Sequence, residues 1–345
     1  MTSWRRQAGL TLVELMIATT LSIVLLAGVL LVFSANKATY QMQNGLGTLQ
    51  ENGRYAISQI ASDLQMAGFG GCLSPHFKRL EDSVVRVVNV VSSSPPYLTE
   101  FIDGTFLVGR DNQSTTVTMG GVNMVPGTDS IEIRGPLRSN VNFVTGAIPA
   151  DQPVVILGDA SGFAANEYLL IGDCSSATLF RATAVSTSGG NTTITHTTSN
   201  NSQNELGQPY GGDAVVMEFA THTYFIGTTG RNNTSGQAIT ALYRFDGTNS
   251  TELVDGVENL QIAYAMDADG DRDIDQFTPA GAGVNLADAV AVRISLLLNS
   301  VDAASAVEAP YTYFPSSSTA ITPTTGDLRL RQEFSSVISI RNSVL

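Results

Sequence analysis

Residues 9–33 read GLTLVELMIATTLSIVLLAGVLLVF. From Leu15 to Phe33 only small residues interrupt the apolar side chains, and the run comes close to the roughly 20 residues that a membrane-spanning helix needs. A cleavable secretory signal would have a shorter apolar core, about 7 to 15 residues, followed by a small-x-small cleavage site, and no such site follows Phe33. The run therefore predicts a membrane-spanning helix that stays in the mature protein.

Arginines before the run set its orientation. Arg5 and Arg6 precede it and no comparable cluster follows closely, so the positive-inside rule leaves the N-terminus in the cytoplasm and places residues after about 34 outside. The chain as a whole has 43% hydrophobic and 14% charged residues, which is enough for a folded core. Its net charge of -13, without a basic run, excludes an ordinary nucleic-acid-binding surface.

Glu14 is the unusual residue of this helix. A carboxylate inside a spanning segment costs about 2.5 to 3.5 kcal/mol at mid-bilayer, and less near the interface. From its position alone, Glu14 could simply extend its carboxylate among the headgroups.

The residues around Glu14 favour another interpretation, because AGLTLVELMIA closely resembles the processing signal of type IV pilins and type II secretion pseudopilins. The resemblance implies a basic leader, residues 1–9, that a membrane prepilin peptidase removes between Gly9 and Leu10. It also implies N-methylation of Leu10, which stands where the family usually has Phe. Glu14 would then pair with the freed α-amino group of a neighbouring subunit during assembly.

Beyond Phe33 the sequence becomes amphipathic. Apolar residues at spacings of three and four predict a helix from residue 10 to about 66, roughly 85 Å long, that ends at MAGFGGC. The glycines at 45, 47 and 53 predict local softness in it. We expect four parts: the leader 1–9, the membrane or filament-core half of the helix 10–33, its amphipathic half 34–67, and an exported β-rich head 68–345.

The sequence of the head predicts an antiparallel sheet. Short β-rich runs separated by Gly, Pro, Ser and Asn clusters follow one another from residue 84, with no helices of similar length between them. The predicted fold class is therefore α+β, with a long N-terminal spine helix packed on an antiparallel head, as in type IV pilins. The polar segments 186–208 and 315–327 are predicted to be surface loops.

Four further stretches narrow the resemblance: LQMAGFGGC, LVDGVENLQIAYAMDADGDRDID, AVRISLLLNS and RLRQEFSSVISIRN are similar to the minor pilins of the PilW family, which are related to pseudopilin J. This resemblance implies a structural subunit that helps prime the assembly of type IV pili, the fibres of adhesion and twitching motility, and that lies near their tip. The implied partners are the other minor pilins, the major pilin and a large tip-associated adhesin. The implied location is the inner membrane, with the head in the periplasm, and then the pilus.

Three alternatives remain open. One is a pseudopilin of type II secretion, a second is a single-pass anchored domain that binds a surface ligand, and a third is an anchored enzyme. The enzyme is disfavoured because the three histidines, His76, His196 and His222, belong to no catalytic motif. We therefore expect a non-enzymatic protein.

Two cysteines, Cys72 and Cys174, favour a disulfide over two buried thiols, because the predicted compartment is oxidising. A bridge closing a loop of about 100 residues contributes up to about 4.7 kcal/mol in the chain-entropy model.

An acidic run, DADGDRDID, is the candidate metal site. Calcium prefers such oxygen ligands, but an EF-hand is excluded because Arg272 and Thr278 stand where its Gly and Glu belong. A looser calcium loop and a solvated acidic turn with Arg272 as counterion remain as alternatives. Calcium is therefore the candidate cofactor. Its candidate ligands are Asp267, Asp269, Asp271, Asp273 and Asp275, and the first three are preferred.

Overall fold

The computed structural model describes residues 11–70, 85–91, 93–137, 141–158, 162–267, 269, 273–281, 284–314 and 319–342. It confirms the α+β class, with one long N-terminal helix and a β-rich head. In chain order the elements are α1 (Leu12–Met66), β1 (Val85–Asn89), α2 (Tyr97–Ile102), β2 (Leu107–Arg110), β3 (Thr118–Met119), β4 (Val122–Asn123), β5 (Ser130–Gly135), β6 (Asn142–Phe143), β7 (Val154–Leu157), β8 (Tyr168–Gly172), β9 (Ser176–Arg181), β10 (Ala184–Ser188), β11 (Asn191–Thr195), β12 (Val215–Glu218), β13 (Ala220–Asn232), β14 (Ala238–Phe245), β15 (Ser250–Asp255), β16 (Val257–Met266), β17 (Gln276–Thr278), a short 3-10 helix (Leu286–Asp288), β18 (Ala289–Asn299) and β19 (Arg331–Ser339).

Helix α1 has two halves with different surroundings. Its apolar residues from Leu12 to Phe33 are exposed, and this part is long and apolar enough to cross a membrane. Its first buried residue is Leu49, and burial then follows the predicted helical spacing to Leu64. The helix ends at Met66 because Gly68 turns into the left-handed region, at φ 67°.

Two antiparallel sheets receive the buried half of α1. One has the strand order β15-β14-β13-β5-β2 and the other the order β17-β16-β18-β19. The helix lies against β5, β15, β18 and β19. Its residues Leu49, Ile60 and Leu64 join the strands in one main core.

A third sheet, with the order β1-β9-β8-β12-β6, is the central layer of the head. One face places Leu170, Leu179 and Met217 in the main core. The other face contributes Ile171 and Val216 to a second core, which the small sheet β10-β11-β7 covers. The pair β1 and β9 is parallel, and every other described pair of strands is antiparallel.

The predicted surface loop at 186–208 is wrong over residues 186–195. Strands β10 and β11 form a hairpin there, and Thr192 and Ile194 are buried. Alternate side chains of β11 point inward while the intervening threonines face outward, so a polar composition hid an amphipathic strand. In the second predicted loop, residues 315–318 lie outside the described residues, Ile321 forms an isolated bridge with Tyr311, and Asp327 is buried.

The glycines of α1 have a packing role that differs from the predicted softness. A Cβ on Gly53 would lie 2.5 Å from the ring of Phe334, and one on Gly45 would lie 2.8 Å from the Cβ of Ala304. Gly47 meets nothing within 4 Å. The absence of a side chain at positions 45 and 53 therefore lets β19 and the β18–β19 connection approach the helix closely.

Candidate processing, assembly and metal sites

Thr11 and Glu14 form a capping box at the start of α1. The backbone N–H of Glu14 donates to Thr11 Oγ1 at 3.2 Å, and the backbone N–H of Thr11 donates to Glu14 Oε2 at 3.0 Å. Thr11 Oγ1 also donates to Glu14 Oε2 at 2.9 Å. The reciprocal pair satisfies N–H groups that a helix start otherwise leaves without partners.

The capping box gives Glu14 a local partner that sequence reasoning missed, although the spacing Thr-x-x-Glu in TLVE was a readable signal. Both hydrogen bonds that the carboxylate accepts from described residues use Oε2, so Oε1 can accept from another donor. Glu14 is exposed on the helix surface and lies in its first turn, where the helix dipole favours a negative charge. Gly9 and Leu10 lie outside the described residues, so the cleavage and methylation sites remain predictions.

A buried polar cluster joins α1 to the head. His222 Nδ1 donates to Asp63 Oδ2 at 2.6 Å, and the Tyr224 hydroxyl donates to the same oxygen at 2.6 Å. The side chains of His222 and Asp63 are 3% and 8% exposed. Burial, followed by the neighbouring Asp63 carboxylate, raises the pKa of Tyr224, so that its hydroxyl stays protonated and remains a donor.

The polar cluster fixes the position of the helix on the head. Asp63 is on α1 and its two donors are on β13, 159 and 161 residues away. A one-residue shift of the helix would withdraw the carboxylate and leave two buried polar groups without a partner, at about 1 to 3 kcal/mol each. Because both side chains are almost fully buried, this Asp-His pair is placed for structure and is closed to a substrate.

Of the other two histidines, His196 is the one that the structure describes. His196 is buried, its Nε2 lies 2.9 Å from the carbonyl oxygen of Gln152, and its ring packs edge-on against Phe180. His76 lies outside the described residues. Within the described part of the chain, the geometry brings neither His196 nor His222 to an open cleft.

A partly buried ion-pair network holds β19 near the end of the β18–β19 connection. Arg331 donates to Glu258 Oε2 at 2.8 Å and to Asp327 Oδ2 at 2.5 Å. Arg329 donates to Asp327 Oδ2 at 2.8 Å. Hydrogen bonds from the two arginines lower the pKa of Asp327 well below its usual range, although burial opposes them.

The structure describes one of the two cysteines. Cys174 lies in the turn between β8 and β9 and is not a free thiol. Cys72 lies outside the described residues, so a Cys72–Cys174 bridge remains a prediction.

The acidic run brings three of its carboxylates together. One oxygen from each of Asp267, Asp269 and Asp275 lies within 4.8 Å of the others. Asp273 is exposed, and Asp271 and Arg272 lie outside the described residues. Asp275 joins Asp267 because β16 and β17 pair at Met266 and Gln276 and so return the chain beside Asp267, while the role of Asp271 stays a prediction. A hard cation fits such a donor set, and so does a solvated acidic turn.

Comparisons with known proteins match both ends of the chain. Residues 223–342 match the family model of the type IV pilus-assembly protein W, and residues 4–30 match the prokaryotic N-terminal methylation motif. No curated protein matches the chain. The first match covers most of β13 and the strands from β14 to β19, including the ion pairs of Arg329 and Arg331. The second match covers the cap of α1.

Proposed function

Because the two family matches support a type IV pilus minor pilin of the PilW family, we propose that this chain is a structural subunit that helps prime pilus assembly and is incorporated near the pilus tip. PilW proteins are structural, pilin-type proteins, and the methylation motif implies contact with pilus components and with the prepilin peptidase. The observation that carries the proposal is the exposed apolar half of α1 with Glu14 capping its start.

The first proposed step is storage and processing. The apolar half of α1 anchors the chain in the inner membrane, with the head in the periplasm. Cleavage between Gly9 and Leu10 then creates a positively charged α-amino group beside Thr11 and Glu14. N-methylation of Leu10 leaves this amine able to carry its charge.

The second proposed step is assembly. The hydrogen bonds from Thr11 hold the Glu14 carboxylate in one orientation. Because Glu14 is exposed, its carboxylate can accept a hydrogen bond from the α-amino group of a neighbouring subunit. Where apolar helices exclude water, such a charge-assisted hydrogen bond is strong. The apolar residues 12–33 leave the lipid and pack against the helices of neighbouring subunits. The buried Asp63 cluster keeps the head attached to the helix during this step.

The test is to shear pili from cells and probe the fibres for this chain. We expect wild type in the pili, Glu14→Ala absent from them, and Glu51→Ala present as wild type, since Glu51 is an exposed carboxylate of the same helix beyond its apolar half. Priming is tested by deleting the chain and counting pili, which should become fewer. Absence of the wild-type chain from pili would overturn the proposal in favour of a type II secretion pseudopilin.

A further inference from the structure

An exposed apolar strip continues the face of the central sheet that packs on the main core. Phe143 on β6 is 60% exposed and Leu157 on β7 is 65% exposed. Phe143 pairs with Val215 of β12, and the bridge between Val144 and Ile156 places Phe143 opposite Leu157. Val141, 42% exposed, lies two residues before Phe143 and so on the same face. We call Val141, Phe143 and Leu157 the apolar strip.

The apolar strip differs from the other exposed apolar residues of the described head. Outside α1 these are Ile274, Val307 and Val337, and each lies on a different loop or strand. Isolated exposed apolar residues are ordinary, whereas adjacent ones on neighbouring strands indicate an interaction surface. Helix α1 lies against strands of the other two large sheets, so the helix of the same chain leaves the apolar strip exposed.

The charge around the apolar strip indicates what it binds. Residues 138–218 contain two Arg and no Lys against seven carboxylates, a net charge of 2 - 7 = -5; the carboxylates are Asp151, Asp159, Glu167, Asp173, Glu205, Asp213 and Glu218. Arg138 and Asp159 lie outside the described residues. Asp151 is exposed in the β6–β7 loop, and Asp213 is exposed directly before β12. On β9, Ala177 lies in the same row across the sheet as Phe143. Arg181 is four residues farther along that strand, or about 13 Å.

We propose that the apolar strip binds a segment of a different protein in which an apolar side chain is flanked by Lys or Arg. The apolar side chain would cover Phe143 and Leu157, and the cations would face Asp151 and Asp213. A second copy of this chain is disfavoured as the occupant, because each copy carries a net charge of -13. The surface lies between residues 31 and 222, which neither family match covers.

The first test is photo-crosslinking of the full chain in piliated cells. The crosslinking amino acid p-benzoyl-phenylalanine replaces Phe143, and the matched control places it at Val307, which is 69% exposed. We expect an adduct from position 143 alone, mapping to another protein at an apolar residue beside Lys or Arg. No adduct above the control, an adduct to a second copy, or an adduct to a segment without Lys or Arg would each overturn the proposal.

The second test measures binding of a synthetic peptide with the crosslinked sequence to the detergent-solubilised full chain, by fluorescence anisotropy at several salt concentrations. Phe143→Ser with Leu157→Ser should weaken binding about tenfold or more. Asp151→Asn with Asp213→Asn should weaken it less and reduce its salt dependence. Val307→Ser should bind as wild type, and all variants should keep the wild-type melting temperature because the changed side chains are exposed.

Equal binding by wild type and the Phe143→Ser, Leu157→Ser variant would refute the apolar strip as the site. The content of sheared pili separates this proposal from the proposed function. The double variant should still enter pili, since α1 and Glu14 are unchanged, whereas failure of the pilin assignment would remove the wild-type chain from pili as well.

Discussion

At the scale of single residues, the processing site makes a simple spectroscopic prediction. The only tryptophan of the chain is Trp4, within the leader. Cleavage between Gly9 and Leu10 should give a mature protein without tryptophan fluorescence and with an intact mass that begins at a methylated Leu10.

Gly9→Val should block that cleavage and keep both the leader mass and the tryptophan emission. A matched change at Gly28, which is also exposed on the apolar run, should be processed normally. A purified mature chain that still emits as tryptophan would show that the predicted site is not used.

Asp63 is the residue whose loss we expect to be most costly at the junction of helix and head. Asp63→Ala leaves the Tyr224 hydroxyl and His222 Nδ1 buried without their shared acceptor. The expected decrease in the free energy of unfolding is about 2 to 5 kcal/mol, measured by urea denaturation in detergent.

The control for Asp63 is Glu51→Ala on the same helix, whose exposed side chain predicts a change within about 0.5 kcal/mol. If Asp63→Ala also stays within that range, the buried cluster contributes no net stability. Its role would then be limited to fixing the register of α1 on β13.

At the scale of elements, two glycines of α1 predict opposite effects of one substitution. Gly53→Ala places a methyl group into the ring of Phe334 and should destabilise the protein by about 1 to 3 kcal/mol. Gly47→Ala meets open space and should stabilise it by about 0.5 to 1 kcal/mol, because Ala loses less backbone entropy in a helix. Paired thermal melts of the two variants measure the difference, and equal shifts would contradict the packing role of Gly53.

The β16–β17 connection permits a direct comparison of the two interpretations of the acidic run. A calcium site at Asp267, Asp269 and Asp275 predicts heat on calorimetric titration and a melting temperature that rises with Ca²⁺ and falls in a chelator. Asp275→Asn should abolish most of that response, while Asp302→Asn, at a carboxylate outside the run, should keep it. A solvated acidic turn predicts no specific heat and no shift in any variant.

At the scale of the whole molecule, stability should depend on pH through Asp129. Burial raises the pKa of Asp129 to about 6, although backbone N–H groups of Asn112 and Ile262 donate to its carboxylate. The folded state therefore holds this proton more tightly than the unfolded state. This contribution to the free energy of unfolding is fully present below about pH 4 and is lost as the pH rises to about 6.

This contribution is up to about 3 kcal/mol, because the pKa of Asp129, at about 6, lies well above that of an ordinary Asp carboxyl. Asp327 has a lowered pKa, so its contribution to the free energy of unfolding is lost as the pH falls, and at lower pH than that of Asp129. The measured quantity is therefore the difference in the free energy of unfolding between wild type and Asp129→Asn, from urea denaturation at pH 4 to 7. That difference should decrease with rising pH and level off above about 6. A difference that does not change with pH would contradict the raised pKa.

The features that were predictable are those encoded in neighbouring residues. The spine helix follows from apolar spacing within a few turns, and the methylation motif lies within residues 4–30. The Thr11 cap was equally local and could have been recognised from TLVE. The hairpin β10–β11 was missed because short threonine-rich strands have the composition of a loop, and only the alternation at Thr192 and Ile194 indicated burial.

The membrane-capable helix, the processing motif, the antiparallel β-rich head and the acidic run could be predicted, because each depends on residues close together in the chain. Only the tertiary structure decided that Asp63 meets His222 and Tyr224, that Gly53 receives Phe334, and that one sheet is buried on both faces while its edge exposes Phe143. The contacts of Asp63 and of Gly53 join segments more than 100 residues apart. Their partners are set by strand order and register, which local periodicity does not specify.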